Sequence, residues 1–475
     1  GVTDFGLFNV IGGAIAMLTF LNGSMAAASQ RFMSYYHGHG DQNKQKKIFN
    51  VSVLLHLFIG VTIILLLEVG GYILFNGVLK IDVDRIAAAK IIYQFLIVST
   101  FLTTISVPYD AVLNAHENMF FVAILGVLEA LLKLSIALFI TYTTFDKLIT
   151  YGVLMAALIV LLLVIKRIYC HIKYEEVTIN IRKFYEKDLF KEMIGFAGWS
   201  FLGSTTGMIA NYGQGIVLNS FFGTVVNAAQ GVAGQVNGQL SAFSTSMLKA
   251  LNPLFAKSEG AKNRSMLIKS IKLGAKVSFF LLSFFSIPVM IEMPFVLDLW
   301  LKEVPEYTVI FCRLLLLKSL QDQLFVTLGS GISAVGNIKK YQIYISILAL
   351  LPLIVSGTLF YYGYPPYFMY IAFIVQVAIK SYFITLYHPK LNFDLSILNF
   401  LKDVVARSLL LFLFAASFGL IIQYYFETSV FRLLLVIVTC SIFSIFGLFF
   451  ILFNTNEKKV ILNVFALLIK KIGFK

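Results

Sequence analysis

Long apolar stretches recur along the whole chain and restrict its fold more than any other feature. Thirteen stretches are long enough to cross a bilayer: 8–33, 50–75, 90–108, 119–141, 148–169, 193–217, 225–250, 274–297, 309–334, 341–362, 367–386, 405–425 and 431–453. A bilayer core about 30 Å thick requires about 20 mostly apolar residues per helix. Because backbone groups in lipid must be paired internally, runs of this length predict helices rather than strands. We therefore expect an all-α polytopic membrane protein.

The composition excludes soluble classes of protein. Hydrophobic residues make up 59% of the 475 residues and charged residues 13%, with a mean hydropathy of +0.86. A soluble domain carries about 25% charged residues. Soluble enzymes, nucleic-acid binders and secreted modules are therefore excluded. Cys170, Cys312 and Cys440 are far apart in the sequence, so we predict neither a disulfide framework nor a metal site.

The distribution of Lys and Arg predicts the orientation in the membrane. Basic residues cluster in alternate connections, for example at 44–47, 173–191 and 257–269, and only the connection around 108–118 lacks its expected charge. By the positive-inside rule, these connections and the C-terminus are cytoplasmic, and Gly1 faces the outside. The net charge of +14 is thus a consequence of topology, and no nucleic-acid partner is predicted. The last twenty residues resemble an amphipathic helix on the inner membrane surface.

The chain also contains a faint internal repeat. A shift of 222 residues superimposes two sets of identical residues, Ser24, Met25, Ala28 and Gly38 on Ser246, Met247, Ala250 and Gly260. An even number of helices per repeat predicts parallel units. The counterpart of helix 193–217 would precede Gly1, so we expect one N-terminal helix outside this sequence and fourteen helices in the complete protein. The predicted parts are an N-terminal bundle (1–185), a C-terminal bundle (186–390), and a helix pair with its tail (391–475).

Short motifs near the start of the chain are similar to those of a known family. Residues 4–13 read DFGLFNVIGG, and Ser24-Met25-Ala26 and Gln30-Arg31-Phe32 precede a basic loop that contains glycine. Together with the helix count and the terminal pair, these motifs resemble the bacterial polysaccharide repeat-unit (O-antigen) flippases. Those proteins belong to the multidrug/oligosaccharidyl-lipid/polysaccharide (MOP) exporter superfamily, as do the multidrug and toxin extruders (MATE).

The resemblance implies a MATE-like fold and a transport function. It implies two six-helix bundles in a V around a central cavity, with alternating access. It also implies a lipid partner: an undecaprenyl-pyrophosphate-linked oligosaccharide moves from the cytoplasmic to the periplasmic leaflet of the bacterial inner membrane, for cell-surface polysaccharide biosynthesis. Membrane lipids surround the protein, and a polysaccharide polymerase and glycosyltransferases are further candidate partners. No cofactor is implied, and a coupling ion, either H⁺ or Na⁺, stays an open alternative.

Two alternative functions remain open. A cation-coupled multidrug exporter has the same fold, but twelve helices suffice for it, so the terminal pair argues against this function. A membrane glycosyltransferase or polymerase would need carboxylates on large outer loops, and the predicted outer loops are short. We therefore do not predict an enzyme or any catalytic residue.

Ionisable residues inside predicted spans are candidates for the binding site, because charges at membrane depth usually face a water-filled cavity or a partner. Glu129 and Lys133 lie one turn apart, as do Lys318 and Asp322, and Arg313 lies nearer the outside. A cationic cavity would bind an anionic head group. The alternative is that each pair neutralises itself between helices and is structural.

Amides and hydroxyls form two stripes at helical spacing on spans 193–217 and 225–250. Their amide members are Asn211, Gln214, Asn227, Gln230 and Asn237. Such groups suit sugar hydroxyls, although GxxxG spacings on the same helices also favour close packing. At the inner end of span 8–33, Arg31 either extends toward lipid phosphates or holds a pyrophosphate by forked hydrogen bonds.

Overall fold

The computed structural model describes residues 19–78, 85–389 and 394–459. The motif at 4–13 and the predicted amphipathic tail beyond residue 459 lie outside these ranges. Within them, every regular element is helical, in agreement with the predicted all-α class. The helices in chain order are α1 (Thr19–His39), α2 (Gln42–Ile73), α3 (Ile86–Ala115), α4 (Met119–Tyr142), α5 (Lys147–Lys173), α6 (Ile181–Phe184), α7 (Lys187–Gly260), α8 (Arg264–Ile291), α9 (Met293–Trp300), α10 (Thr308–Gln323), α11 (Val326–Val335), α12 (Lys339–Tyr361), α13 (Phe368–Ile379), α14 (Ile397–Phe400), α15 (Arg407–Tyr425) and α16 (Val430–Gly447).

Short π-helical segments continue several of these helices. They are Leu74–Val78 after α2, Lys380–Thr385 after α13, Leu401–Ala406 between α14 and α15, and Leu448–Leu452 after α16. Single π turns inside helices are uncommon and often occur at functional sites. The segment after α13 begins at a lysine, Lys380.

The observed helices agree with the predicted spans. Ten helices in the described ranges are long and apolar enough to cross a membrane. One of them, the 74-residue α7, contains both predicted spans 193–217 and 225–250. The predicted span 309–334 is present as α10 and α11, which are too short to count singly because the helix is interrupted at Leu324 and Phe325. The chain is therefore a multi-pass membrane protein.

Local sequence signals explain where several helices start and break. Asn118 and Asp146 accept hydrogen bonds from backbone N–H groups in the first turns of α4 and α5, and Ser429 does the same for α16. Such N-caps satisfy N–H groups that have no partner inside the helix. The break within α7 falls at Gly223, whose φ of +78° favours glycine.

The described residues divide into two compact units. Within the described ranges, residues up to Thr205 together with Ala256–Asn263 form the first unit, and Thr206–Phe255 together with residues from Arg264 onward form the second. The core of the first unit packs α2, α3 and α5 together through a cluster that includes Ile63, Ile92 and Leu148. The predicted bundle boundaries at 185 and 390 were drawn from the repeat, and they stay a prediction.

A reciprocal crossing of two helix ends in the first unit reflects the internal repeat. A Cβ atom added to Gly38 in α1 would overlap the backbone carbonyl of Lys257 at the end of α7. A Cβ atom added to Gly260 would in turn overlap the backbone carbonyl of Tyr35. Both glycines are related by the shift of 222 residues, and so are the two residues they touch. The two backbones approach at a distance that only glycine permits.

In the second unit, the terminal helices α15 and α16 pack against α8. Gly419 lies so close to Cys440 and Ile291 that a Cβ atom there would overlap both side chains. The rings of Phe418 and Phe443 stack with centroids 3.5 Å apart. The predicted C-terminal pair is thus an integral part of the second unit.

Candidate functional site

The predicted site residues are divided between the two units. Arg31, Glu129 and Lys133 lie in the first unit. The other candidates all lie in the second: Asn211, Gln214, Asn227, Gln230, Asn237, Arg313, Lys318 and Asp322. The two groups are described separately.

The second unit brings Lys318 and Asp322 together with a third ionisable residue. Lys318 and Asp322 lie one turn apart on α10, and Lys380 lies where α13 changes into its π-helical segment. The Lys380 ammonium donates a short hydrogen bond to the carboxylate of Asp322. These three residues are called the lysine cluster below.

The partner of Asp322 differs from the sequence prediction. We expected Lys318 and Asp322 to form the ion pair, but among the described residues Asp322 pairs with Lys380. The Lys318 ammonium instead lies 5.5 Å from the centre of the Phe373 ring, on α13. A cation over an aromatic face is attracted by the electron density of the ring. The i,i+4 spacing identified two ionisable residues correctly but gave the wrong contact.

The lysine cluster has more positive than negative charge and is partly exposed. It contains two lysines and one carboxylate, which gives a net charge of +1. The side chains of Asp322 and Lys380 are 39% and 23% exposed. The excess of positive charge favours an anionic ligand.

Arg313 contacts the end of a neighbouring helix. Its Nε donates to the carbonyl of Met290 at 2.9 Å, and its Nη2 donates to that of Ile291 at 3.4 Å. These carbonyls lie at the C-terminal end of α8, where no N–H of the same helix reaches them. Arg313 thus caps α8, which favours a structural role, and its role as a ligand stays a prediction.

The amide stripes of α7 are partly packed and partly open. Asn227 and Gln230 face Gly215, where a Cβ atom would lie 3.2 and 3.1 Å from their side-chain oxygens. Gln214 is buried, Asn211 is exposed, and Asn237 is half-buried.

The glycines beside these stripes show whether close helix packing explains the GxxxG spacings on α7. A Cβ atom added to Gly207, Gly234 or Gly238 would meet nothing within 4 Å. The GxxxG spacings at these positions therefore do not mark close helix contacts within the described residues. The open space beside them favours a lining role for this face of α7.

Arg31 of the first unit lies among aromatic rings. Its guanidinium is 4.6 Å from the ring centre of Phe32, 5.1 Å from that of Tyr35 and 5.6 Å from that of Phe196. An arginine held on aromatic faces keeps a fixed position and retains its charge. This setting supports a defined contact rather than a mobile side chain that extends into the lipid phosphates.

Glu129 and Lys133 form the predicted pair on α4. The carboxylate and ammonium are 2.6 Å apart, and both side chains are exposed. Leu125 is the single fully buried residue that the structure describes on this helix. The pair therefore neutralises itself locally, which favours the structural alternative at this position.

Several ion pairs were missed by the sequence analysis. The sequence contains a signal that could have identified Lys380, because this residue is an ionisable side chain inside the predicted span 367–386. Asp110 and Lys166 pair at 2.7 Å in the first unit, and Glu292 pairs with Arg432 at 2.8 Å in the second. These partners are 56 and 140 positions apart in the chain, so no local spacing reveals them.

No metal centre emerges from the described part of the chain. Within it, no group of three or more His, Cys, Asp or Glu side chains is arranged to hold a metal ion.

Comparison with known proteins identifies the fold. No protein-family model matches the sequence, and no curated protein matches it. Among solved structures, an outward-facing multidrug resistance MATE family transporter of the MOP superfamily is 15% identical with a TM-score of 0.69, and the match covers 85% of this chain and 89% of that one. A crystal structure of a MATE mutant is 14% identical with a TM-score of 0.73, over 85% of this chain and 90% of that one.

A third solved structure extends this likeness. A MOP superfamily transporter from Pyrococcus furiosus is 15% identical with a TM-score of 0.67, over 84% of this chain and 88% of that one. Its structure is described as having a binding pocket of reverse polarity that suggests a different function. These matches cover most of both chains at low identity, so the chain has the fold of the MATE transporters of the MOP superfamily.

Proposed function

We propose that this chain is a transporter that works by alternating access and exports an anionic amphiphile. The favoured cargo is an oligosaccharide carried on undecaprenyl pyrophosphate. The lysine cluster carries this proposal, because it places two cations and one carboxylate in an accessible position within the spans. Uncompensated charge at membrane depth is costly and is usually kept for function.

The chemistry of the cluster suits a phosphate group. Lysine ammonium groups bind phosphate as point charges, without a required geometry. A pyrophosphate head group would compensate both Lys318 and Lys380, whereas the single carboxylate of Asp322 compensates only one of them. A cationic drug would instead be repelled by the net positive charge of the cluster.

The open face of α7 suits the sugar part of such a cargo. Asn211 is exposed and Asn237 is half-buried on this helix. Their amide groups can both donate hydrogen bonds to sugar hydroxyls and accept them.

We further propose the setting that the charge pattern and the fold favour. The protein lies in the inner membrane of a bacterium, with the C-terminus in the cytoplasm. The polymerase and glycosyltransferases that handle the same lipid-linked sugar are candidate partners. H⁺ or Na⁺ is the candidate coupling ion.

A multidrug exporter is the second candidate function, and the solved neighbours favour it over the flippase. One neighbour is described as a multidrug resistance transporter, and another as a MATE protein. Against this candidate stand the cationic cluster and the terminal helix pair, which is fixed to α8. The two candidates differ in the charge of the cargo, and this difference can be tested directly.

The test uses the full chain in lipid vesicles. One assay follows the movement of a fluorescent prenyl-pyrophosphate oligosaccharide between leaflets, by its protection from a quencher added outside. A second assay follows the transport of ethidium, a cationic drug. We expect movement of the lipid-linked sugar and no transport of ethidium. Ethidium transport without movement of the lipid would replace the flippase with the multidrug exporter.

The lysines provide the accompanying variants. Lys318→Gln and Lys380→Gln should each lower the rate at limiting cargo roughly ten- to a hundredfold, since a charge-assisted hydrogen bond is worth roughly 1.5–3 kcal/mol. Protein abundance should change little, because both side chains are at least partly exposed. Full activity in both variants would remove the lysine cluster from the cargo site.

A further inference from the structure

The second unit contains two kinds of ion pair, which differ in exposure. Glu292, at the C-terminal end of α8, and Arg432, on α16, are 0% and 10% exposed. Lys276, near the middle of α8, is 0% exposed and contacts both Asp403 and Glu457. All of these contacts join α8 to the terminal helices or the segments beside them. The pair of Asp322 and Lys380 is open by comparison and belongs to neither joint.

In this open pair, the Asp322 carboxylate lies near two lysines and pairs with one of them, Lys380. Asp322 reaches across to Lys380, while Lys318 follows the same face of α10 one turn earlier. Phe373, on which Lys318 lies, precedes Lys380 by seven residues and therefore shares a face of α13 with it. Both ammonium groups thus lie along one junction between α10 and α13. The carboxylate of Asp322 pairs with that of Lys380.

We propose that Asp322 is an internal counter-ion that competes with the cargo. In the cargo-free protein its carboxylate holds Lys380, and an incoming phosphate group displaces it from that lysine. Asp322 is then a specificity-determining residue, because it sets how strongly an anion must bind to take its place. The inference rests on the proposed function and adds the means by which the site releases its cargo.

Charge compensation explains why such a residue would be present. Two lysines without a carboxylate would leave two cations in the membrane after the cargo departs, which is costly. They would also hold a phosphate group too tightly for rapid release. With Asp322 present, binding exchanges one ion pair for another, so the difference between the empty and loaded states is small.

The experiment measures binding of farnesyl pyrophosphate to the purified full chain, with farnesol as the neutral reference. Asp322→Asn should bind farnesyl pyrophosphate about tenfold more tightly, because the competing carboxylate is gone while both lysines remain. Lys380→Gln should bind it at least about tenfold more weakly. Asp110→Asn in the first unit is the matched control, since Asp110 and its partner Lys166 are 39% and 18% exposed. Its affinity should equal that of the natural protein.

Each outcome decides between the alternatives. Unchanged or weaker binding by Asp322→Asn would overturn the counter-ion role while leaving an anionic cargo intact. Equal tightening in Asp322→Asn and Asp110→Asn would overturn it as well, because total charge would then explain the effect. If the natural protein binds farnesol with the same affinity as farnesyl pyrophosphate, the proposed function and this inference are both refuted.

A second variant covers the case in which Asp322→Asn does not fold. Combining Asp322→Asn with Lys318→Gln restores the local charge of +1, and its reference is Lys318→Gln alone. The combined variant should bind farnesyl pyrophosphate about tenfold more tightly than that reference. Equal or weaker binding would overturn the inference.

Discussion

The two units differ in the interactions that hold their helices together. The second unit contains ion pairs that are closed to solvent, such as Glu292 with Arg432. The first unit contains the glycine crossing of α1 and α7, and its ion pairs are more open, such as Lys44 and Lys47 with Glu186. The two units thus hold their helices together by different contacts.

This difference has a physical reason in the terminal helices. Helix α8 is covered by α15 and α16, so Lys276 in its middle and Glu292 at its C-terminal end lose their water and must be paired. In the first unit, Lys44, Lys47 and Glu186 are each 23–32% exposed, so their charges keep part of their hydration. Close backbone contact at Gly38 and Gly260 provides the rigid contact there.

Breaking a closed pair in the second unit should have the largest effect. Arg432→Met removes the partner of Glu292, whose side chain is fully buried, and leaves an uncompensated charge. Loss of one partner of a buried pair costs roughly 3–5 kcal/mol. We expect a large fall in the thermal unfolding midpoint of the purified protein in detergent.

The double variant Arg432→Met with Glu292→Gln is the control for this prediction. It removes both charges, so most of the lost stability should return. If the double variant is as unstable as Arg432→Met, the arginine acts through packing and its hydrogen bond to the carbonyl of Phe426 rather than through charge.

Substitutions in the glycine crossing should lower the stability less, and by equal amounts at Gly38 and Gly260. Gly38→Ala and Gly260→Ala each place a methyl group against a backbone carbonyl that cannot rotate away. Overpacking of this kind costs roughly 1–3 kcal/mol. We expect the two variants to lower the unfolding midpoint by similar amounts. The shift of 222 residues relates the two glycines to each other, and it also relates the residues that they meet, Tyr35 and Lys257.

Gly234→Ala is the matched control for the crossing. It lies in the same helix as Gly260, and its added methyl group would meet open space. Alanine is the better helix former, so this variant should be neutral or slightly stabilising. A large loss in Gly38→Ala without one in Gly260→Ala would show that the crossing is not reciprocal in solution.

The sequence predicted the helices well because their signal is local. Spans of about 20 apolar residues, a glycine at the break of α7 and capping residues before α4 and α5 are all visible in short windows. The repeat, based on few identities, also paired Gly38 with Gly260, which the structure brings into one contact. The resemblance to the O-antigen flippases implied the MATE-like fold, which the solved structures confirm.

The sequence predicted the site less well because its contacts join distant helices. Spacing of i,i+4 identifies residues on one face of a helix, but it does not tell which residue of a facing helix approaches them. Asp322 was therefore assigned to Lys318 rather than to Lys380, 58 positions away. The hydrogen bonds of Arg313 to the carbonyls of Met290 and Ile291 were missed for the same reason, because those residues belong to another helix.

The smallest expected effect concerns the open ion pairs of the first unit and depends on pH. Hydrogen bonds from Lys44 and then Lys47 lower the pKa of Glu186 below its ordinary value of 4.5. A carboxyl group with a lowered pKa stabilises the folded state above its unfolded value, and this contribution is lost as the pH falls through the folded value. Because these side chains are only half-buried, Glu186→Gln should cost less than about 1 kcal/mol at pH 7.

The difference in unfolding midpoint between Glu186→Gln and the natural protein should shrink as the pH falls below 4.5 and should also shrink in high salt. A loss as large as that of Arg432→Met, unchanged by acid and salt, would mean that the first unit also depends on closed ion pairs, and the contrast between the units would fail.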